Sequence, residues 1–177
     1  MDFRLTDDQR QLQEAARAFA QGEMREVART LEQEDKALPA EWIKRYAEMG
    51  FLGVNVSEDL GGLGLGNLEA LIVLEEFAKV SPAVAFPIFE SSVGPVRAGG
   101  GHADAYVVYC KLSDAPGAKG IGAVLVEKDA KGLSFGARER LMGFRGVPSA
   151  DIFFDNVEVP AENLIVPAGG FKKLMEA

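Results

Sequence analysis

The hydrophobic pattern of this chain changes period once, across Arg97-Ala98-Gly99-Gly100-Gly101. Before that seam apolar residues recur at helical spacing. After it they come in short runs rich in β-branched and aromatic side chains. Three consecutive glycines leave the backbone free to change direction, so the seam reads as a junction between a helical stretch and a β stretch. The 177 residues suit one domain or two small ones, at roughly 100–200 residues per domain.

Thr6 and Gln9 have capping-box spacing, and Asp7 and Asp8 favour the positive end of a helix dipole. The stripe Leu12, Ala15, Ala16, Phe19, Val27, Leu31 predicts a helix over about residues 7–33, with Gly22 as its weak point. Pro39 suits the first position of a second helix, whose face is Trp42, Ile43, Tyr46 and Met49 and whose cap is Gly50. Asn67 caps a third, over residues 68–80. Its run Leu71-Ile72-Val73-Leu74 is apolar on every side, which predicts a largely buried helix, the most buried of the four. Ser81-Pro82 opens a fourth, through Phe86, Phe89 and Val93.

Beyond the seam, Tyr106–Cys110, Ile121–Val126, Ile152–Phe154 and Val157–Val159 read as strands, with Asp114-Ala115-Pro116-Gly117 as a turn. The fold class expected is α+β, a helical domain followed by part of a small antiparallel β domain. The final Gly169–Ala177 reads as the start of a further helix.

Composition narrows the function classes. Acidic side chains outnumber basic ones 27 to 19, a net charge of −8, which disfavours a phosphate-neutralising surface and hence nucleic acid. One cysteine, Cys110, and one histidine, His102, exclude an intramolecular disulfide, a cysteine-cluster metal site and a two-histidine zinc site. No apolar run approaches the ~18 residues of a membrane span. The opening MDFRLTDDQRQ lacks the basic-then-apolar order of a secretory signal. The expected compartment is the cytoplasm of a bacterium, ahead of a mitochondrial matrix.

No constellation of residues declares a chemistry by itself. Gly61-Gly62-Leu63-Gly64-Leu65-Gly66 contains no GxGxxG window and follows helical pattern, so it reads as a tight turn and not a phosphate loop. His102 has no orienting carboxylate in sight and reads as a solvated loop residue. Cys110 ends a strand and reads as a structural thiol. Glu75 and Glu76 point about 100° apart on a helix, so they cannot converge on one atom; one should pack and the other face water.

Function enters through resemblance. Leu5-Thr6-Asp7-Asp8-Gln9, then Met49-Gly50-Phe51-Leu52-Gly53-Val54 with Ser57-Glu58-Asp59-Leu60-Gly61-Gly62-Leu63-Gly64, then Leu74-Glu75-Glu76-Phe77-Ala78 resemble the acyl-CoA dehydrogenase family. The middle motif is similar to its GxxGxxxPExxGGxG signature, with Ser57 where the family usually has proline. In the second half, Ala103–Val108 resembles a family strand, and residues 143–164 are similar to the signature MGxRGxxxxxxxFxxVxVPxxN. The matches run in family order over nearly the whole chain.

Against that pattern the flavin-holding TEPxxGS segment and the tryptophan-bearing strand are missing; both belong between Val96 and Gly100. The C-terminal helical bundle, which would begin at Phe171–Met175 and usually supplies the catalytic glutamate, is missing too. The resemblance therefore implies an internally deleted and truncated member. Its expected parts are an N-terminal helical domain over residues 1–97, a partial β domain over 98–168 and the start of a C-terminal helical domain over 169–177.

The family implies FAD-dependent α,β-desaturation of an acyl-CoA thioester. A carboxylate takes the α-proton while the β-hydrogen leaves as hydride to the flavin, and hydrogen bonds hold the enolate-like oxygen. Electron-transfer flavoprotein or a similar acceptor, and a homo-oligomer, tetrameric in the family, are implied with it. By resemblance Phe86, Phe89 and Glu90 border the acyl chain and Ser113 lies near the CoA phosphates. Helix packing for the first three, and an ordinary turn for Ser113, are the plainer alternatives. No residue matches the catalytic base, and no flavin-binding residue is assigned. The chain by itself is expected to be inactive. A non-enzymatic acyl-CoA- or partner-binding remnant and a purely structural fragment stay open beside the enzyme reading.

Overall fold

The computed structural model describes residues 4–92 and 102–174. The glycine seam and the proposed site of the missing flavin segments lie outside the described residues. The chain divides into two compact units, residues 1–98 with 139–148 and residues 99–138 with 149–177.

The first unit is helical. Helix α1 (Asp7–Glu34) starts on the capping box expected: Gln9 N–H donates to Thr6 Oγ1 (3.2 Å) and Thr6 N–H to Gln9 Oε1 (2.9 Å). Helix α2 (Ala40–Glu48) begins one residue later than expected, with Pro39 as its N-cap, and Gly50 follows at φ 75°. Helix α3 (Asn67–Ala78) is capped at Gly66, not Asn67; the Glu69 carboxylate accepts from the Gly66 N–H at 3.0 Å. Helix α4 (Pro82–Ser92) carries Pro87 inside it, and Val93 lies outside the described residues.

The core of this unit is a cluster of four rings. Phe77 stands 5.8 Å from Phe19, 5.0 Å from Tyr46 and 5.2 Å from Phe51, mostly edge to face. The Tyr46 hydroxyl donates to Val84 O (3.1 Å), which satisfies the one polar atom in the cluster. Burial pushes that phenol up. Of the run Leu71–Leu74, Ile72 and Val73 are buried and Leu74 is half-buried, while Leu71 is 47% exposed. A helix packed on one side cannot bury residues spread around its whole circumference.

The second unit holds two small antiparallel sheets. Strands β1 (Ala105–Lys111), β2 (Ile121–Glu127) and β5 (Leu164–Val166) form one, in the order β1-β2-β5. Strands β3 (Leu133–Phe135) and β4 (Ile152–Phe154) form the other. β1 and β2 pair over seven positions, from Ala105 with Glu127 to Lys111 with Ile121. Asn163 Nδ2 donates to Leu125 O (3.2 Å), holding the approach to β5. Helix α5 (Phe171–Leu174) sets Phe171 edge-on to Tyr109 at 6.0 Å.

Val157–Val159, expected as a strand, is not one; Asn156 turns the chain at φ 50° and Pro160 removes a donor. Strands β3 and β5, three residues each, carry no strand signal of their own in the sequence.

Candidate functional site

The residues that resemblance places along an acyl chain stand on α4. Ser81 Oγ accepts from Ala83 N–H (3.2 Å) and starts the helix. At its far end Asn55 Nδ2 donates to Ser92 O and to Asn67 Oδ1, both at 2.7 Å, which ties α4 to the head of α3. Ser91 Oγ donates to Ile88 O (3.1 Å) and accepts from Gly53 N–H (3.5 Å). These bonds fix the surface that α4 presents.

On that helix Phe86 and Phe89, three residues apart, bring their rings to 5.9 Å; both are half-buried, and Phe86 also packs on the core. Glu90 follows at the surface. The residue is exposed as a whole, and desolvation by the surrounding protein pushes its carboxyl up to about 7. The cause is desolvation, with no offsetting charge among the described residues. The carboxyl makes no hydrogen bond to the described residues.

Ser113 belongs to the second unit. It is exposed, and its hydroxyl accepts from Ala115 N–H at 3.5 Å, the geometry of a serine turn. The α4 residues are thus brought together on one helix, while Ser113 stands on the other unit.

The remaining candidates fall where their plainer readings put them. In the glycine loop, Gly61 and Gly64 have φ 86° and 63°, and a Cβ on Gly62 would meet Val56 O at 2.1 Å. That loop is a closed turn. His102 is exposed and Cys110 is a half-buried free thiol. Glu75 is exposed, and Glu76, at 1% exposure, packs. Its carboxylate receives Arg17 Nε and Nη2, each at 3.1 Å, and Lys79 Nζ at 2.8 Å. Arg17 first, then Lys79, hold it below the usual carboxylate range. Among the described residues no cluster could hold a metal ion, and no helix is long and apolar enough to cross a membrane.

The sequence reading missed a cleft of about 460 Å³ lined by Gln33, Glu34, Asp35, Arg140, Leu141, Met142 and Arg145. Its two walls lie more than a hundred residues apart, so no local pattern announces it.

Two units, one a helical layer built on α1, α3 and α4 and one a small antiparallel β fold, define an α+β protein. The family model "Acyl-CoA dehydrogenase, N-terminal domain" matches residues 6–105, and "Acyl-CoA dehydrogenase, middle domain" matches residues 96–157. The chain belongs to the acyl-CoA dehydrogenase family. It is 30% identical to the acryloyl-CoA reductase (NADH) of Anaerotignum propionicum over all of its own length and 61% of that protein. That match runs over 240 positions against 177 residues here, leaving 63 positions with no counterpart in this chain.

Among solved structures, the acyl-CoA dehydrogenase of Geobacillus kaustophilus has the same fold (TM-score 0.86, 22% identity, 99% of this chain and 63% of that one). A chain from a structure titled for the electron transferring flavoprotein of Acidaminococcus fermentans gives TM-score 0.82 at 25% identity, covering 99% of this chain and 62% of that one. The chain thus spans about 61% of the length of a relative it matches throughout.

Proposed function

We propose that this chain carries the acyl-facing part of a FAD-dependent acyl-CoA dehydrogenase, and that by itself it binds acyl-CoA without desaturating it. The observation that carries the reading is the match of both domain models in family order over residues 6–157. In this reading residues 1–97 are the helical domain, 98–168 the partial β domain, whose stretch 139–148 falls in the helical unit, and 169–177 the start of a C-terminal helical domain.

FAD is the cofactor the family implies, and the described residues do not make a seat for it. In the β unit, the glycines that leave least room for a Cβ are closed by this chain's own backbone: Gly120 by Ala115 O (2.5 Å), Gly122 by Val166 O (2.3 Å) and Gly132 by Asp155 O (2.1 Å). They are turns and strand contacts, not a cradle for a ring system. No step through the flavin is therefore assigned to these residues. An electron-transferring flavoprotein as acceptor and a tetramer belong, in this reading, to the family's whole enzyme. The free thiol of Cys110 fits a reducing compartment such as a bacterial cytoplasm.

In this reading Phe86 and Phe89 offer the acyl chain an apolar wall and Glu90 closes its end. Ser113, on its exposed turn in the other unit, is by resemblance a CoA-phosphate contact of the family's whole enzyme. Burying a carboxyl against an acyl chain favours its neutral form. Ligand binding should therefore be tighter at pH 6 than at pH 8, either side of the Glu90 value of about 7.

The test is thermal unfolding with short-, medium- and long-chain saturated acyl-CoAs and with CoA alone. A ligand at 100 times its Kd adds about 2.7 kcal/mol, which at this size moves Tm by about 5–10 °C. At least one acyl-CoA should shift Tm beyond CoA alone, and Phe89→Ala should reduce that shift. Glu90→Gln should remove its pH dependence. No shift with any of them leaves a structural fragment as the reading.

A further inference from the structure

The two edges of the three-stranded sheet are unequal. The β5 edge is three residues long, its pairing with β2 slips at Ala123/Val124, and Pro167 follows it at once. Short length, a bulge and proline are the means by which edges are kept from pairing with other chains. The β1 edge has none of them. It runs seven residues, Ala105–Lys111, without proline or bulge, and its only charge is Lys111 at the last position.

Register fixes which backbone groups that edge presents. Lys128 N–H donates to Asp104 O (2.8 Å) and Leu112 N–H to Gly120 O (2.8 Å), both in line with the Ala105–Glu127 pairing. Hydrogen-bonded pairs recur every second residue in an antiparallel ladder. The even-numbered residues of β1 therefore bond to β2, and the N–H and C=O groups of Ala105, Val107, Tyr109 and Lys111 point away from it. No strand among the described residues takes them. The side chains of Val107 and Tyr109 are 43% and 38% exposed.

We propose that this edge is an interface, and that its occupant is β1 of a second copy of this chain, paired antiparallel about Val108. That register overlaps all seven residues, sets Ala105 against Lys111 and Val107 against Tyr109 of the other copy, and forms about eight main-chain hydrogen bonds, two for each facing outward pair. Charge favours the antiparallel sense. Asp104 precedes the strand and Lys111, which faces its own Asp114 at 3.8 Å, ends it, so antiparallel pairing sets the acidic end of one strand beside the basic end of the other, with the two side chains on opposite faces of the sheet. A parallel arrangement sets Lys111 beside Lys111. The run Tyr106-Val107-Val108-Tyr109 also has the β-branched and aromatic composition that stabilises cross-strand pairs.

The register makes the test sharp. Val108 meets its own copy across the two-fold axis as a non-hydrogen-bonded pair, with Cα atoms about 4.5 Å apart, within the span of a disulfide. In the whole 177-residue chain with Cys110→Ser, Val108→Cys should give a disulfide-linked dimer under mild oxidation, and Val107→Cys or Tyr109→Cys much less of one.

Val107→Pro removes an outward N–H and no β2 bond, so it should convert a sedimenting dimer to monomer with an unchanged far-ultraviolet spectrum. Val107→Lys serves the same purpose if proline unfolds the unit. A parent chain monomeric at tens of micromolar would overturn the proposal. So would a dimer that survives both Val107 variants. Slow hydrogen exchange at the Val107 and Tyr109 amides in a monomer would also overturn it, since a segment of the same chain would then cover the edge.

Discussion

Phe77→Ala is expected to bring the helical unit close to unfolding in water at 25 °C. Phe77 is fully buried and touches three other rings, those of Phe19, Tyr46 and Phe51. Truncating a buried phenylalanine costs about 3–5 kcal/mol, the lost transfer energy plus the cavity left behind. That is a large share of the ~5–15 kcal/mol by which a domain is stable. The three remaining rings are held by different elements, α1, α2 and the residue after the turn at Gly50, so they cannot all close into the space. Leu71→Ala, one and a half turns earlier on the same helix but 47% exposed, should change stability by no more than about 0.5 kcal/mol. Denaturant midpoints of the two variants measure the contrast directly. Equal losses would mean that α3 buries its other face.

Arg17→Met is the second large effect. The Glu76 carboxylate is almost wholly buried, and its two oxygens are held by Arg17 from α1 and by Lys79 from the end of its own helix. Removing Arg17 strands a buried charge with one cation in place of two. Breaking a buried pair costs about 3–5 kcal/mol when nothing replaces the lost partner. Because Lys79 stays and Arg17 is itself half-exposed, about 2 kcal/mol is expected at pH 7.

The pH dependence has a definite sign. Glu76 is held below the usual carboxylate value of 4.5, so the pair's contribution is present above 4.5 and is lost as pH falls through the lower value of the folded state. The gap between parent and Arg17→Met should therefore shrink on acidification. Glu76→Gln should cost less than Arg17→Met at pH 7, because Arg17 and Lys79 can turn to water.

Much of the helical unit was legible because its signals are local. The capping box of Thr6 and Gln9, the apolar stripe of α1 and the aromatic face of α2 need no tertiary context. β1, β2 and β4 were legible for the same reason, as β-branched and aromatic runs bounded by turns. Leu133–Phe135 and Leu164–Val166 were not, because a three-residue strand exists only through its partner, and Val157–Val159 had the composition of a strand without a partner.

The site divides in the same way. Phe86 and Phe89, three apart, share a helix face by spacing alone. The proton affinity of Glu90 depends on what surrounds it in space. The Arg17–Glu76 pair spans fifty-nine residues, and the cleft between Gln33–Asp35 and Arg140–Arg145 spans more, so neither could be read from spacing.

In the proposed reading this chain keeps an acyl-CoA-facing surface of its family but not a working flavin site. Steady-state turnover tests it most directly, with the purified 177-residue chain, added FAD, saturating acyl-CoA and an artificial electron acceptor. Acceptor reduction should be no faster than in buffer with free FAD, and the flavin spectrum should be unchanged by the protein. Flavin-dependent reduction of the acceptor by this chain, with release of the α,β-unsaturated thioester, would contradict it.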